Sequence, residues 1–414
     1  MKKYGCIGKK LTHSFSKEIH GCLADYAYEL IELDEDAVPP FLKSREFAAI
    51  NVTIPYKQTV IPYLDFVSPI AQRIGAVNTI VNQEGKLYGY NTDYYGMKAL
   101  IEKIGVDLKD KKVLILGTGG TAKTARAVAE DLGASVILTV SRKDRGDITY
   151  EDAVSTHADA HVLINTTPAG MYPNCETALV DIHAFCALEG VIDAVYNPLC
   201  TNLVLDARER DIRAEGGLYM LVMQAVVAVE KFLNTTISQE TAGRVFSAIY
   251  EAKENIVLTG MPGSGKSTVG KLLDLEGFTF VDTDLEIESR CGCTIKELIQ
   301  TKGEAYFRDL ETAVIREISA RSAQVIATGG GAILREENVR SLRRNGRLYF
   351  LQADLSRLQA TDSRPLSDTP AKLASLYAQR MPIYRDTAHV TVPDFQTPQA
   401  TAEYIILKRK EQNL

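Results

Sequence analysis

Apolar residues in this chain gather in short runs that stop at glycine or at a small polar residue, with stretches of helical spacing between them. That punctuation predicts parallel strands feeding helices, because a strand buried on both faces reads as a continuous apolar run and the following helix as a single apolar face. The run at 256–258 leads into GMPGSGKST (260–268) and then Val269, Leu272 and Leu273, which is strand, glycine loop, helix. KVLILGTGGTAKTARAVAEDLGASVILTVSR (112–142) reads as strand, glycine turn, Ala-rich helix and second strand. Runs at 162–171, 191–198 and 216–225 are read as three further strand ends, and 4–7 as a first strand. Around 49–57, Val52 and Ile54 alternate with Asn51 and Thr53 until Pro55 ends the strand. Residues 239–253 set Ala242, Val245, Phe246, Ile249 and Ala252 on one helical face, and no Gly-, Pro- or Ser-rich linker separates them from the strand at Ile256. A phosphate loop follows the first strand of its own domain, so a new domain is expected to begin near Asn255.

The two glycine turns set the chemistry. In the second, Gly260, Gly263 and Gly265 let the backbone curl its N–H groups inward at a helix start, where phosphate binds. Lys266 then supplies charge for the outer phosphates, and Ser267 a magnesium ligand. In the first, Gly117, Gly119 and Gly120 suit a pyrophosphate, with Ala122 at the third small position of the fingerprint. Where an NAD site usually carries an acid for the ribose hydroxyls, the second strand ends in Ser141, Arg142 and Lys143. Two cations suit a 2′-phosphate, so the expected cofactor is NADP.

Composition narrows this picture rather than changing it. With 414 residues, 45% hydrophobic and 24% charged, the chain can build two or three cores. A formal charge of -6 argues against nucleic acid as an electrostatic partner. No apolar run approaches membrane-spanning length and MKKYGCIGKK turns polar early, so a cytoplasmic protein without a membrane partner is expected. Seven scattered cysteines make no disulfide framework, Cys291 and Cys293 are too close for a metal knuckle, and His157 with His161 has Ala158 where a metalloprotease helix carries its glutamate, so the pair is read as surface or packing.

Several polar residues stand where strands end, which is where ligands sit in α/β folds. Ser14 and Ser16 read as helix caps, Lys57 either as a solvated lysine or as part of a cluster with Asn51 and Thr53, and Asp93, among Tyr90, Tyr94 and Tyr95, as a helix cap or a functional carboxylate. Further on, Asp282 and Asp284 are expected two apart on one face of a strand end, one for magnesium and one for an acceptor hydroxyl. Arg308 lies on a helix, TGGG (328–331) offers N–H groups to a second anion, and Arg364 and Arg380 follow in SRPLSDTP (363–370) and QRMPIYRDTA (379–388).

Through the two early serines, NVTIPYK, AVNT, NTD, GTGGTA, NTTPAGM, VYNP and GGLYMLVMQA, the first half resembles shikimate dehydrogenase; through the phosphate loop, DTD, FRDLE, TGGG, RPL and RMPIYRDTA, the second resembles shikimate kinase. The resemblance implies an α/β chain with a substrate domain (1–98 and 217–253), a Rossmann NADP domain (99–216) and a P-loop kinase domain with a parallel sheet (254–414). It implies that Ser14 and Ser16 hold a substrate carboxylate, that Thr53, Asn78, Tyr196 and Gln224 surround the ring, and that Lys57 and Asp93 form the catalytic pair. Gly117, Gly119, Gly120, Thr121, Ala122, Ser141, Arg142, Lys143 and Gly217 would contact NADP. In the kinase half, Asp284, Arg308, Gly330 and Arg380 would contact shikimate, with Asp284 accepting the hydroxyl proton. Gly263, Ser264, Gly265, Lys266, Ser267 and Thr268 would hold ATP, Ser267 and Asp282 Mg2+, and Lys266 and Arg364 the transferring phosphoryl group. Lys17 stands where the family usually has proline, and the family's adenine-side arginine is expected to be replaced by Ala360 or Thr361, beside a short lid.

The implied function is NADPH-dependent reduction of 3-dehydroshikimate followed by ATP-dependent phosphorylation of shikimate, with oligomeric state left open. A quinate/shikimate dehydrogenase using NAD is disfavoured by Ser141, Arg142 and Lys143. A ligand-sensing regulator that lost its chemistry should show losses at Lys57, Asp93, Lys266 or Asp284, and none is seen. An active half joined to a silent scaffold is the remaining alternative, with the kinase half the candidate for loss.

Overall fold

The computed structural model describes residues 3–11, 15–142, 145–273, 277–358 and 369–411, so Ser14, Lys143 and Arg364, like Ala360 and Thr361, lie outside the described residues. The chain divides into two compact units, Met1–Ile249 and Tyr250–Leu414.

The first unit contains two sheets. Strands β1 (Lys3–Gly8), β2 (Tyr28–Glu32), β3 (Phe47–Val52), β4 (Phe66–Val67), β5 (Thr79–Gln83) and β6 (Lys86–Tyr90) form a mixed sheet of order β2-β1-β3-β5-β6-β4. In it β1 runs parallel to β2 and β3, while β5 runs antiparallel to β3 and β6. Strands β7 (Lys112–Leu116), β8 (Val136–Ser141), β9 (Ile148–Thr149), β10 (Val162–Asn165), β11 (Gly190–Asp193) and β12 (Arg213–Glu215) form a parallel sheet of order β12-β11-β10-β7-β8-β9. Alternate residues of β7 enter different cores, Val113 and Ile115 one, Leu114 and Leu116 the other. Both faces are therefore covered, which is why its sequence is continuously apolar. Strand order reverses between β7 and β10, and the glycine turn after β7 opens at that reversal, where doubly wound sheets place their ligands.

The second unit is one parallel sheet of β13 (Asn255–Thr259), β14 (Thr279–Asp282), β15 (Gln324–Ala327), β16 (Gly346–Leu351) and β17 (Val390–Val392), in the order β14-β15-β13-β16-β17. The phosphate loop leaves the central strand β13. Val257 faces one core and Ile256 and Leu258 the other.

The structure corrects three of the expectations. Residues 216–225 do not end a strand: β12 stops at Glu215 and the apolar run belongs to the helix Leu218–Leu233. A short window that is apolar all round cannot be told from a strand by period, and only the length of the element decides. That helix crosses the helix Asp93–Ile104 so closely that a Cβ on Gly96 would lie 2.5 Å from the Met220 carbonyl oxygen. Strand β3 ends at Val52, not at Pro55, which leaves Ile54 74% exposed. Asp284 is not on a strand face, because Asp282 ends β14 and caps the helix Thr283–Cys291, accepting from the Asp284 and Leu285 N–H groups at 3.0 and 3.3 Å. The helix Gln239–Lys253 has the expected bounds and buries Ala242, Val245 and Ile249.

Candidate active sites

In the first unit, one cavity of about 550 Å³ is lined by Lys57 and Asp93 together with Ser16, Thr53 and Asn78 from the mixed-sheet side. Tyr196, Gly217 and Gln224 complete its wall, and Thr121 of the first glycine turn reaches it as well. Lys57 follows β3 and Asp93 opens a helix, yet the Lys57 ammonium donates to Asp93 Oδ2 at 2.5 Å. Asp93 is not the turn-forming cap: Asn78 Oδ1 accepts from the Thr92 N–H at 2.7 Å and Asn91 Oδ1 from the Tyr94 N–H at 3.1 Å. These two asparagines fix the helix start and leave the Asp93 carboxylate to the lysine. Thr92 Oγ1 also receives the Asn78 amide at 3.0 Å and lies 3.3 Å from Gln224 Oε1, which joins two of the expected ring contacts into one network. Ser16 is the first residue of its helix, whose N-cap position is Phe15, so the reading of Ser16 as a cap does not hold. Phe15 packs edge-on against Tyr196 at 5.3 Å. Burial pushes the thiol of Cys6, another lining residue, up to about 12, so it stays neutral at physiological pH.

The dinucleotide turn fits the cofactor expected of it. Gly117 holds φ +110°, and a Cβ there would lie 2.9 Å from Thr166 Oγ1. Around Gly119 and Gly120, by contrast, the space beyond the backbone is open at the start of the helix Gly120–Asp131. At the end of β8 the Ser141 hydroxyl is buried with no hydrogen-bond partner among the described residues, and Arg142 beside it is exposed. An orphaned hydroxyl next to an exposed guanidinium suits a phosphate oxygen. Ala122 is buried inside that helix.

The second unit has a cavity of about 650 Å³ lined by Gly263, Gly265, Lys266, Ser267 and Thr268 on one side and by Asp282, Asp284, Arg308, Gly330 and Arg380 on the other. The Lys266 ammonium folds back onto the Gly260 and Met261 carbonyls at 2.9 and 3.0 Å. Ser267 Oγ donates to Asp282 Oδ2 at 2.5 Å, a pairing of hard oxygen donors that fits Mg2+. Burial, reinforced by the like charges of Glu311 and Asp282 and opposed by Lys266, pushes Asp284 up to about 6. Ser264 lies instead in an adjoining pocket of about 150 Å³, between the glycine loop, Leu351 and Phe395. That pocket also holds Arg357, three residues before Ala360 and paired with Asp394.

Two further residues were given no role from the sequence, although Glu311 was placed on the helix of Arg308. Glu311, fully buried, accepts from Arg308 Nη1 at 2.7 Å, and the signal was its helical spacing of three from Arg308 inside FRDLE. The Tyr384 hydroxyl lies 2.8 Å from the Gly260 carbonyl and 2.5 Å from that of Gly330, where Arg380 also donates at 3.0 Å. It stands one turn after Arg380 and bridges the phosphate loop to the TGGG turn (328–331).

A glycine turn at the reversal of a parallel sheet, opening on a cavity that holds a lysine–carboxylate pair, defines a nicotinamide-dependent oxidoreductase. A phosphate loop facing acids and arginines defines a small-molecule phosphotransferase. Comparison with known proteins sharpens both classes. Residues 6–80 match the family model of the shikimate dehydrogenase substrate binding domain, and residues 262–410 that of shikimate kinase. The chain is 39% identical over 248 residues to shikimate dehydrogenase (NADP(+)) of Clostridium beijerinckii, covering 56% of this chain and 91% of the relative. Over 259 residues it is 36% identical to the Caldicellulosiruptor bescii enzyme of the same name, covering 55% and 88%. Among solved structures, a chorismate mutase/shikimate 5-dehydrogenase fusion protein from Clostridium acetobutylicum aligns with TM-score 0.57 at 33% identity, over 60% of this chain and 97% of that one. Shikimate 5-dehydrogenase of Thermus thermophilus in complex with NADP(H) and shikimate aligns with TM-score 0.54 at 27% identity, over 60% and 99%. The chain belongs to the shikimate dehydrogenase family and carries a shikimate kinase domain C-terminal to it.

Proposed function

We propose that this chain catalyses two consecutive reactions, reducing 3-dehydroshikimate to shikimate with NADPH in the first unit and phosphorylating the shikimate 3-hydroxyl with ATP in the second. The observation that carries the reading is the Lys57–Asp93 pair at 2.5 Å in a cavity that Thr121 of the dinucleotide turn also lines. Residues 1–98 with 217–253 form the substrate part, 99–216 the NADP part and 254–414 the kinase; the mixed sheet, the six-stranded parallel sheet and the five-stranded parallel sheet support this division. NADPH supplies the hydride for the ring ketone. The Lys57 ammonium gives its proton to the carbonyl oxygen as that oxygen becomes an alkoxide, and Asp93 aims the ammonium and offsets its charge. Ser16, Thr53, Asn78, Tyr196 and Gln224 orient the ring. Gly117, Gly119 and Gly120 leave room for the pyrophosphate, and Ser141 with Arg142 receives the 2′-phosphate.

In the second unit, ATP with Mg2+ supplies the phosphoryl group. Lys266, now on the Gly260 and Met261 carbonyls, would hold the phosphates, Ser267 and Asp282 would hold the metal, and Arg357 would face the base. Asp284 accepts the proton of the attacking hydroxyl, while Arg308 and Arg380 hold the acceptor's carboxylate. Glu311 fixes the Arg308 guanidinium. A cytoplasmic location is supported by the absence, among the described residues, of any helix long and apolar enough to cross a membrane, and by seven free cysteines.

The test is a coupled assay of the full chain with 3-dehydroshikimate, NADPH, ATP and Mg2+, following NADPH loss and ADP release separately. Lys57→Ala is expected to cut NADPH oxidation by about 10²–10⁴-fold while ADP release from added shikimate persists, with Lys266→Ala doing the reverse. A wild-type chain that binds shikimate but turns over neither cofactor would sink the reading in favour of a sensor.

A further inference from the structure

Among the described residues, three charged side chains line the dehydrogenase cavity, and the reaction uses only two of them. Lys57 and Asp93 are joined at 2.5 Å and cancel each other's charge. The third is Lys10, in the turn that leaves β1. It makes no ion pair among the described residues, so the formal charge of the cavity wall is that of one lysine. The turn is held in place: the Leu11 N–H donates to Glu32 Oε1 at 2.8 Å, and the Leu11 side chain is buried against Gly8, where a Cβ would lie 2.8 Å from Leu11 Cδ2. Glu32, the nearest acid that these bonds bring to the turn, is thus engaged with backbone rather than with the ammonium. Hydroxyls such as that of Ser16 can orient an anion but cannot neutralise it, and a carboxylate drawn out of water needs a counter-charge.

We propose that Lys10 is the counter-ion of the substrate carboxylate in this cavity and selects acidic ring ketones over neutral ones. The proposal rests on the dehydrogenase reading above. Lys10 stands at the exposed rim, so it acts in ground-state binding and in attracting the anion, not on the hydride or proton steps.

The experiment uses the full chain, with its kinase activity as an internal standard for folded protein, and compares wild type, Lys10→Gln and Lys10→Arg at low and high salt. Lys10→Gln is expected to raise KM for 3-dehydroshikimate about tenfold with kcat near wild type, and to flatten the rise of KM with salt. Lys10→Arg is expected to restore both. A KM for Lys10→Gln within twofold of wild type overturns the proposal, as does a loss confined to kcat or one that Lys10→Arg leaves unrepaired. A wild-type chain that does not reduce the ketone at all would sink the dehydrogenase reading itself, an outcome distinct from these.

Discussion

Asp93 and Asp284 are carboxylates put to opposite uses by their neighbours. Asp93 meets an ammonium at 2.5 Å, whereas Asp284 shares its half-buried wall with Glu311 and Asp282 and is pushed up to about 6. A base must be ionised to accept a proton, so kinase kcat is expected to fall as pH drops through about 6. Glu311→Gln removes a like charge and should move that limb to lower pH, read from kcat profiles at saturating shikimate. The sign for stability is the reverse. A carboxyl whose folded pKa is raised favours the fold when protonated, and that advantage is lost as pH rises through about 6. Asp284→Asn should therefore make the second unit more stable above that pH, by roughly 1–3 kcal/mol in urea melts, while abolishing transfer. Beside the glycine loop, Arg357→Ala is expected to raise KM for ATP several-fold with little change in KM for shikimate; equal rises in both would remove Arg357 from the nucleotide wall. Lys266 was legible because it lies inside a motif whose spacing fixes it, whereas the neighbours of Lys57 and Asp93 left both open and only the resemblance of NVTIPYK and NTD to shikimate dehydrogenase singled them out. Arg357 was not legible, because no motif in the sequence marks it, and only the turn Leu355–Arg357, capped by Asp354, carries the guanidinium to Asp394.

At the level of elements, the loops around the dehydrogenase cavity are fastened below its wall by Asp193, the last residue of β11. It is fully buried and sits opposite Asn165, the last residue of β10. Oδ1 accepts from Asn165 Nδ2 and from the Val195 N–H, each at 2.9 Å, and Oδ2 accepts from Thr201 Oγ1 at 2.6 Å. Ala194 and Tyr196, on either side of Val195, line the cavity. Asp193→Ala would leave three donors unsatisfied and is expected to cost the first unit about 2–3 kcal/mol, seen as a lower first melting transition with kinase activity intact. A change below about 1 kcal/mol would mean that water replaces the carboxylate. Strands buried on both faces were readable as apolar runs, and so was the helix Gln239–Lys253 from its single apolar stripe. The helix Leu218–Leu233 was misread because it is buried nearly all round and has no polar face to display a period. Asp284 was misplaced because the cap that turns strand into helix falls on Asp282, only two residues before it.

On the scale of the whole molecule, each unit encloses cores of its own, built by residues of that unit alone. Calorimetry of the full chain is expected to show two transitions, NADP+ raising one and ATP with Mg2+ the other. A ligand at about 100 times its Kd adds roughly 2.7 kcal/mol to the unit it binds. A single transition moved by both ligands would contradict two independent units. The junction between the units was legible as a missing linker, but not the burial of its one connecting residue. The helix ends at Lys253, β13 begins at Asn255, and Glu254 between them is 3% exposed, its Oε1 accepting from Arg347 Nε at 3.1 Å. Were this gene ever divided, by evolution or at the bench, the breakpoint could not fall anywhere convenient along the join. A separate kinase would have to begin at or before Glu254, since a later start codon leaves Arg347 facing the interior without its counter-charge.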